Sequence, residues 1–238
     1  MTTSRKVVAE ALGSALLLVA VVGSGIMGER LAGGNVAIAL LANTIATGAA
    51  LVVLILTFGP ISGAHFNPVV TVADASQGGI PWRLVPGYCV AQLVGGAAGV
   101  VAAHLMFELP LLQTSTHVRA GAAQAFSEFV ATFGLLSVIG GCSRRRSDMV
   151  PFAVGLYITA AYWFTASTSF ANPAVTLARA LTDTFAGIRP ADVPAFIAAQ
   201  IAGGAAATML FTWLLPSACT RAADVVVPNR EGDAVRTG

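Results

Sequence analysis

Charged side chains are scarce in this sequence. Asp, Glu, Lys and Arg make up 10% of its 238 residues, hydrophobic residues make up 56%, and the mean hydropathy is +0.78. So few charges cannot clothe an ordinary soluble domain, which excludes a soluble core as the reason for the apolar runs. Cysteine is sparse too. Cys89, Cys142 and Cys219 sit in or beside apolar runs, with no paired spacing and no metal-type histidine partner. That pattern speaks against a disulfide framework and against a zinc site. The sequence shows neither a nucleophile–base pair nor a phosphate-binding loop, so it does not read as an enzyme, and it indicates no cofactor, no metal and no nucleic acid. Trp82, Trp163 and Trp213 suit membrane interfaces or packing better than a cofactor box.

Long uncharged stretches cover 11–28, 31–64, 149–178 and 193–220. A further pair, 84–107 and 120–143, carries only His104 and Glu128. A bilayer crossing takes about 20 apolar residues. The runs 31–64 and 149–178 exceed one crossing, so the natural count is six full helices plus two half-length ones. The first run, following Arg5 and Lys6, has the small residues of a secretory signal near its end, at Ala20 and Gly23. The internal repeat nevertheless requires it as an uncleaved helix. In a six-helix layout Arg5, Lys6, Arg83, Arg144 to Arg146 and Arg221 fall on one side, and Arg30, Arg119 and Arg189 on the other. The positive-inside rule then places both termini in the cytoplasm and the protein in the inner (plasma) membrane. One membrane domain is expected over 1–218, with repeats of about 5–113 and 119–216, and a polar, disordered cytoplasmic tail over 219–238.

The repeat runs through the whole membrane domain. Glu10 opens the first helix and Glu128 sits early in the fourth. Ala91-Gln92-Leu93-Val94-Gly95-Gly96 is echoed by Ala199-Gln200-Ile201-Ala202-Gly203-Gly204. Each half reads as Glu-helix, helix, Asn-Pro half-helix, Gln-helix. Three full spans per half mean that the second copy enters from the opposite side, giving an inverted pair. The Gly/Ala ridges permit close helix crossing in lipid and require no function of their own.

Two near-copies carry the chemistry: Gly63-Ala64-His65-Phe66-Asn67-Pro68-Val69 and Ser169-Phe170-Ala171-Asn172-Pro173-Ala174. Pro68 and Pro173 suit the first helical position, and Asn67 and Asn172 the cap before it. Each half-helix start, running on into Val69 and Ala174, directs about half a positive charge at the bilayer midplane. Two such ends repel cations, while the Asn amides can donate to a passing neutral solute. The preceding segments must be non-helical, and such backbone is tolerated at that depth only beside a cavity or buried in protein. Carbonyls of Gly63, Ala64, His65 and Phe66, and of Thr168, Ser169, Phe170 and Ala171, are therefore expected to form an acceptor ladder.

On these motifs, the two glutamates and the Gln-Gly-Gly repeats, the chain resembles the aquaporin (major intrinsic protein) family over roughly residues 5–216. The resemblance implies an all-α membrane protein, an aquaporin-like bundle of six transmembrane helices plus two half-helices in an inverted repeat. It further implies one pore per subunit, a homotetramer in the lipid bilayer, and Glu10 and Glu128 bracing the irregular loops. That role accounts for carboxylates that would otherwise be costly in a membrane.

Departures from the family pattern sharpen the reading. The family usually has arginine directly after the second Asn-Pro-Ala, where this chain has Val175. Carried over by spacing, the other constriction positions fall on Thr47, Ala160 and Ser169, the assignment of Ala160 assuming a helix without gaps. Such a set has no ring and no guanidinium, which implies a wide, arginine-free constriction. Arg179 lies four residues past Val175, about one turn on, and is read as an outer-vestibule or headgroup anchor. Asp74 holds the matching place in the first half, facing the cytoplasmic vestibule. Val69, in place of the usual alanine, alters how the half-helices abut. His65 is expected at the pore wall, His104 near the outer end of the third helix, and His117 between the halves, none as a pH gate.

The valine and the run Asn172 to Ala180 resemble a bacterial subgroup associated with arsenic resistance, aquaporin S. The resemblance implies a passive channel for small uncharged solutes that conducts arsenite, whose As(OH)3 form presents a glycerol-like hydroxyl array, and methylated arsenicals. A general glycerol, urea or water pore is the nearer alternative. A proton-coupled carrier using Glu10 or Glu128 is the more distant one.

Overall fold

The computed structural model describes residues 1–144 and 146–215. Arg145 and the residues from 216 onward, with Cys219, Arg221 and the expected tail, lie outside the described residues. All regular structure among the described residues is helical: α1 (Thr3–Leu31), α2 (Val36–Ser62), α3 (Pro68–Ser76), α4 (Val85–Met106), α5 (Ala122–Ser143), α6 (Val150–Phe164), α7 (Pro173–Arg179) and α8 (Val193–Leu214). One-turn 3-10 segments lead into α4, α6 and α8, and each of those helices begins with Val-Pro. Proline costs nothing in a first helical turn, where its missing N–H has no partner to lose. Asn35 caps α2 by accepting from the backbone amides of Ala37 and Ile38.

Among the described residues five helices are long and apolar enough to cross a membrane: α1, α2, α5, and α4 and α8 counted with their 3-10 turns. The sixth, α6, has 15 residues. At 1.5 Å per residue it spans about 22 Å, less than the hydrocarbon core. Its chain breaks from helix at Thr165, which turns extended with ψ 138°. The long run 149–178 therefore spends more of its length on loop and half-helix than the count of full spans anticipates.

The two halves are built alike. α1 lies along α4 and α5 along α8; α1 also packs on α2, α2 on α6 and α5 on α6, and α3 meets α7. Both long pairings depend on missing side chains. A β-carbon on Gly95 would overlap the Ala11 carbonyl oxygen, and one on Gly203 would overlap the Phe129 carbonyl oxygen. In lipid, where apolar contact supplies no net drive, this close backbone approach is what joins the helices.

Gly203→Leu is expected to force α5 and α8 apart and to destabilise the fold by about 1–3 kcal/mol or more. The readout is a lower melting temperature in detergent, whereas Val94→Leu, on the exposed face of α4, leaves melting unchanged. A wild-type melt for Gly203→Leu would overturn this account of the packing.

Candidate functional site: a candidate pore

The segments before α3 and α7 cannot be helical, and their backbones say so. Ala64 and Phe66 have φ of 51° and 49°, and Thr168, Ser169 and Ala171 have 60°, 49° and 49°. Left-handed backbone costs a non-glycine residue roughly 1–2 kcal/mol. The amides it exposes are met by two buried carboxylates. Glu10 Oε1 accepts from the Ser62 hydroxyl at 2.6 Å and the His65 amide at 3.0 Å. Its Oε2 accepts from the Phe66 amide at 2.7 Å and Gln92 Nε2 at 2.8 Å. In the second half Glu128 accepts from the amides of Phe170 and Ala171, both at 2.8 Å, and from Gln200 Nε2 at 2.6 Å. Gln92 and Gln200 each also donate to a threonine, Thr71 and Thr176, whose hydroxyl donates to the carbonyl of Asn67 or Asn172. The glutamine and threonine thus carry the brace from carboxylate to asparagine. Their repetition in both halves was the sequence signal for a role beyond packing.

Asn67 and Asn172 cap their own half-helices and cross-link the two loops. Asn67 Oδ1 accepts from the Val69 amide, and Asn172 Oδ1 from the amides of Ala174 and Val175. Asn67 Nδ2 donates to the Ala171 carbonyl at 2.8 Å, and Asn172 Nδ2 donates to the Phe66 carbonyl at 2.7 Å. Each amide nitrogen has two hydrogens, so one on each remains for another acceptor. The Phe66 and Ala171 carbonyls are consumed by this cross-link. Those of Gly63, Ala64, His65, Thr168, Ser169 and Phe170 accept no hydrogen bond from any described residue.

A cavity of about 70 Å³ runs between these loops and the helices. The two loops contribute Ala64 to Asn67 and Ser169 to Asn172 to its lining, and the helices contribute the aliphatic side chains of Leu17, Val21, Leu51, Ile55, Val70, Leu135, Ile139, Val154 and Ile158. Thr47 and Val175 border it as well, and the Ser169 hydroxyl has no hydrogen-bond partner among the described residues. Pro68, Val69, Pro173 and Ala174 form the half-helix starts behind the asparagines. His65 lines the cavity with Nδ1 3.2 Å from Thr71 Oγ1 and Nε2 3.6 Å from Asp74 Oδ2.

Two expectations are corrected. Ala160 does not border the cavity; it lies on the exposed outer face of α6. Val154, Ile158 and Tyr162, spaced by four, form the inward stripe, and a residue two positions away points to the opposite side of a helix. The Tyr162 hydroxyl lies 3.4 Å from Thr47 Oγ1, so an aromatic ring stands where none was expected. Nor is the cavity arginine-free. Arg179 is 2% exposed and lines it. Its guanidinium carbon sits 3.4 Å from the centroid of the Phe170 ring, and Nε donates to the Ala186 carbonyl. A side chain stacked and bonded in this way does not snorkel to the headgroups.

The connections at that end are tied together by buried polar groups. Arg119 donates to the carbonyls of Gly187 and Ser167 and to the Thr168 hydroxyl, and its guanidinium carbon lies 5.0 Å from the centroid of the Phe170 ring. Burial draws its pKa down to about 10, against the favourable field of Glu128, so the guanidinium stays charged at neutral pH. His104 places Nδ1 3.0 Å from the Leu111 carbonyl and Nε2 2.8 Å from Thr182 Oγ1. A carbonyl only accepts, so Nδ1 carries a proton and the histidine acts as a strut between connections. The carbonyl of His117 accepts from the Arg189 amide.

Two inverted half-helices meeting beside a cavity, inside a bundle of apolar helices, define an all-helical membrane channel fold. The family model described as Major intrinsic protein matches residues 1–169, and the chain belongs to that family. It is 56% identical over 215 residues to "Aquaglyceroporin AqpS" of Rhizobium meliloti (strain 1021), covering 90% of this chain and 92% of the relative. "Aquaporin NIP1-3" of Oryza sativa subsp. japonica is 35% identical over 185 residues, covering 75% of this chain and 64% of that protein. In fold it is similar to the X-ray structure of the aquaglyceroporin from Plasmodium falciparum, with a TM-score of 0.71 at 20% identity, covering 91% of this chain and 99% of that one. The chain is accordingly a multi-pass membrane channel for small solutes.

Glu128→Gln replaces one carboxylate oxygen with an NH2 that faces backbone donors. Hydrogen bonds to charged groups contribute about 1.5–3 kcal/mol each, so the loss is expected to be at least of that order. A lower melting temperature and reduced solute flux in proteoliposomes are the expected results, and wild-type values for both would refute the bracing role.

Proposed function

We propose that the chain is a passive channel for small uncharged solutes with several hydroxyls, with arsenite among them and methylated arsenicals as larger members of the set. One observation carries the reading: a cavity lined both by loop backbone with its two Asn amides and by a large set of aliphatic side chains. A polyol crossing it can turn its hydroxyls to the carbonyls and Asn amides and its carbon or arsenic face to the aliphatic side chains. As(OH)3 and glycerol share that division of surface. The aquaglyceroporin name of the Rhizobium meliloti relative supports the same solute class. In this reading Asn67 and Asn172 form the midplane contact, the free carbonyls form the ladder, and Thr47, Tyr162, Ser169 and Val175 set the narrow passage.

Threonine, serine and valine leave that passage roomier than large side chains would. The basic residues Arg5, Lys6, Arg83, Arg144 and Arg146 support a cytoplasmic placement of both termini in the inner membrane. The exposed apolar side chains of α1, α2, α5 and α6, among them Leu12, Ile45, Phe126 and Leu156, are compatible with the lipid and subunit contacts of a homotetramer. A proton-coupled carrier is disfavoured, because Glu10 and Glu128 already accept four and three hydrogen bonds as braces of the fold.

Stopped-flow measurements on proteoliposomes with water, glycerol, urea and arsenite separate the solute classes. Glycerol and arsenite are expected to cross well above empty liposomes. The Thr47→Trp, Val175→Arg double variant is expected to lower both by at least about tenfold, equivalent to roughly 1.4 kcal/mol of barrier. Arsenite flux no greater than that of the double variant removes the metalloid assignment. Accumulation against a gradient, or loss of flux with an uncoupler, would replace the channel with a carrier.

A further inference from the structure

Arg179 is an expensive residue to bury where it is. It closes α7 and is 2% exposed, and no carboxylate among the described residues pairs with it. A buried charge without a counter-ion is strongly unfavourable unless other groups hold it. Here the Phe170 ring, 3.4 Å from the guanidinium carbon, and the Ala186 carbonyl do so. They engage one ring face and Nε. The two terminal nitrogens donate to no acceptor among the described residues, and the side chain borders the cavity along with Thr47, Tyr162, Ser169 and Val175. Arg119 shares the Phe170 ring, but its Nε and Nη1 are bonded to Gly187, Ser167 and Thr168, and it is not among the residues that line the cavity. The two guanidiniums therefore divide the work: Arg119 ties the loop down and Arg179 faces the passage.

Position on the half-helix explains how this is possible. Val175 and Arg179 are four apart, so they share one face of α7. The long side chain reaches the Phe170 ring, two residues before Asn172, and lines the cavity that Val175 also borders.

We propose that Arg179 is a selectivity-determining residue of the passage, the fixed cation that excludes protons and metal cations and donates to the hydroxyl oxygens of a neutral solute. This rests on the channel reading above. A fixed positive charge beside a narrow passage raises the barrier to cations while leaving an uncharged polyol free to pass. Small side chains at Thr47, Ser169 and Val175 then widen the passage without surrendering its charge filter.

The test uses full-length protein in proteoliposomes, with glycerol flux read by stopped flow and cation leak read by an entrapped pH dye under an imposed potential. Wild-type protein should pass glycerol and exclude protons and Na+. Arg179→Gln, which keeps a donor for the Ala186 carbonyl, should raise cation leak by roughly tenfold or more, and Arg179→Lys should restore most of the exclusion. A folded Arg179→Gln with wild-type glycerol flux and unchanged cation leak overturns the proposal and leaves the channel reading intact. Absence of glycerol flux in the wild type overturns both. A second arm keeps Arg179 in place. Ser169→Cys is treated with cationic and neutral thiosulfonates of similar size, against the wild type as background. The cationic reagent should react more slowly than its rate with a free thiol predicts, and equal relative rates count against a resident cation.

Discussion

Two carboxylates buried among apolar helices hold the structure's irregular centre together. Backbone N–H groups inside a membrane have no water to turn to, and each one left unpaired costs several kcal/mol. The chain nevertheless places two left-handed, non-helical segments there. Glu10 and Glu128 make this tolerable by accepting the amides that no helix satisfies. Gln92 and Gln200 hold the carboxylates in turn, so the helices carrying Glu and Gln must lie side by side. The glycine contacts of α1 with α4 and of α5 with α8 are thus part of the same device. Close helix packing brings the amide donor to the acid, and the acid fixes the loop.

With the loops fixed, the asparagines can do two things at once. Each Oδ1 caps its half-helix, and each Nδ2 reaches across to the other loop. This reciprocal bond joins the repeats at the point where their helix starts face one another, while the carbonyls of Gly63 to His65 and of Thr168 to Phe170 accept no hydrogen bond from any described residue. Aliphatic side chains from five different helices line the same cavity. A passage lined by both polar backbone and aliphatic side chains favours solutes whose own surface is divided between hydroxyls and an apolar face, and that is why the proposed solutes are polyols and As(OH)3 rather than ions.

Much of this was legible in the sequence. The Asn-Pro pairs announced the half-helices, because Asn at a cap and Pro at the first position are local preferences that tertiary contacts have little cause to override. The glutamates announced themselves by being charged where charge is costly. What was not legible depended on geometry across elements. Spacing from Asn172 pointed to Ala160, yet α6 ends at Phe164 and the extended chain after it absorbs a shift, so Tyr162 faces inward instead. The stripe of Val154, Ile158 and Tyr162 was the available signal. Burial of Arg179 depended on Phe170, nine residues earlier, and on a carbonyl seven residues later. Neither contact follows from helical periodicity.

The two halves reveal a shared arrangement that carries opposite charges. In the first, His65, two residues before Asn67, lies against Asp74, seven residues after it. In the second, Phe170 and Arg179 occupy those same places relative to Asn172 and are likewise in contact. The braced loop sets its side chain against the end of its half-helix in both cases. The repeat thus fixes a contact position and leaves its chemistry free. An imidazole is paired with a carboxylate in one half, and an aromatic ring lies under a guanidinium in the other. Of the two charged ends, Arg179 lines the cavity itself, whereas Asp74 stands behind His65, which does. Duplication supplies the frame symmetrically, and selectivity can then be assigned to one half by the identity of a single pair.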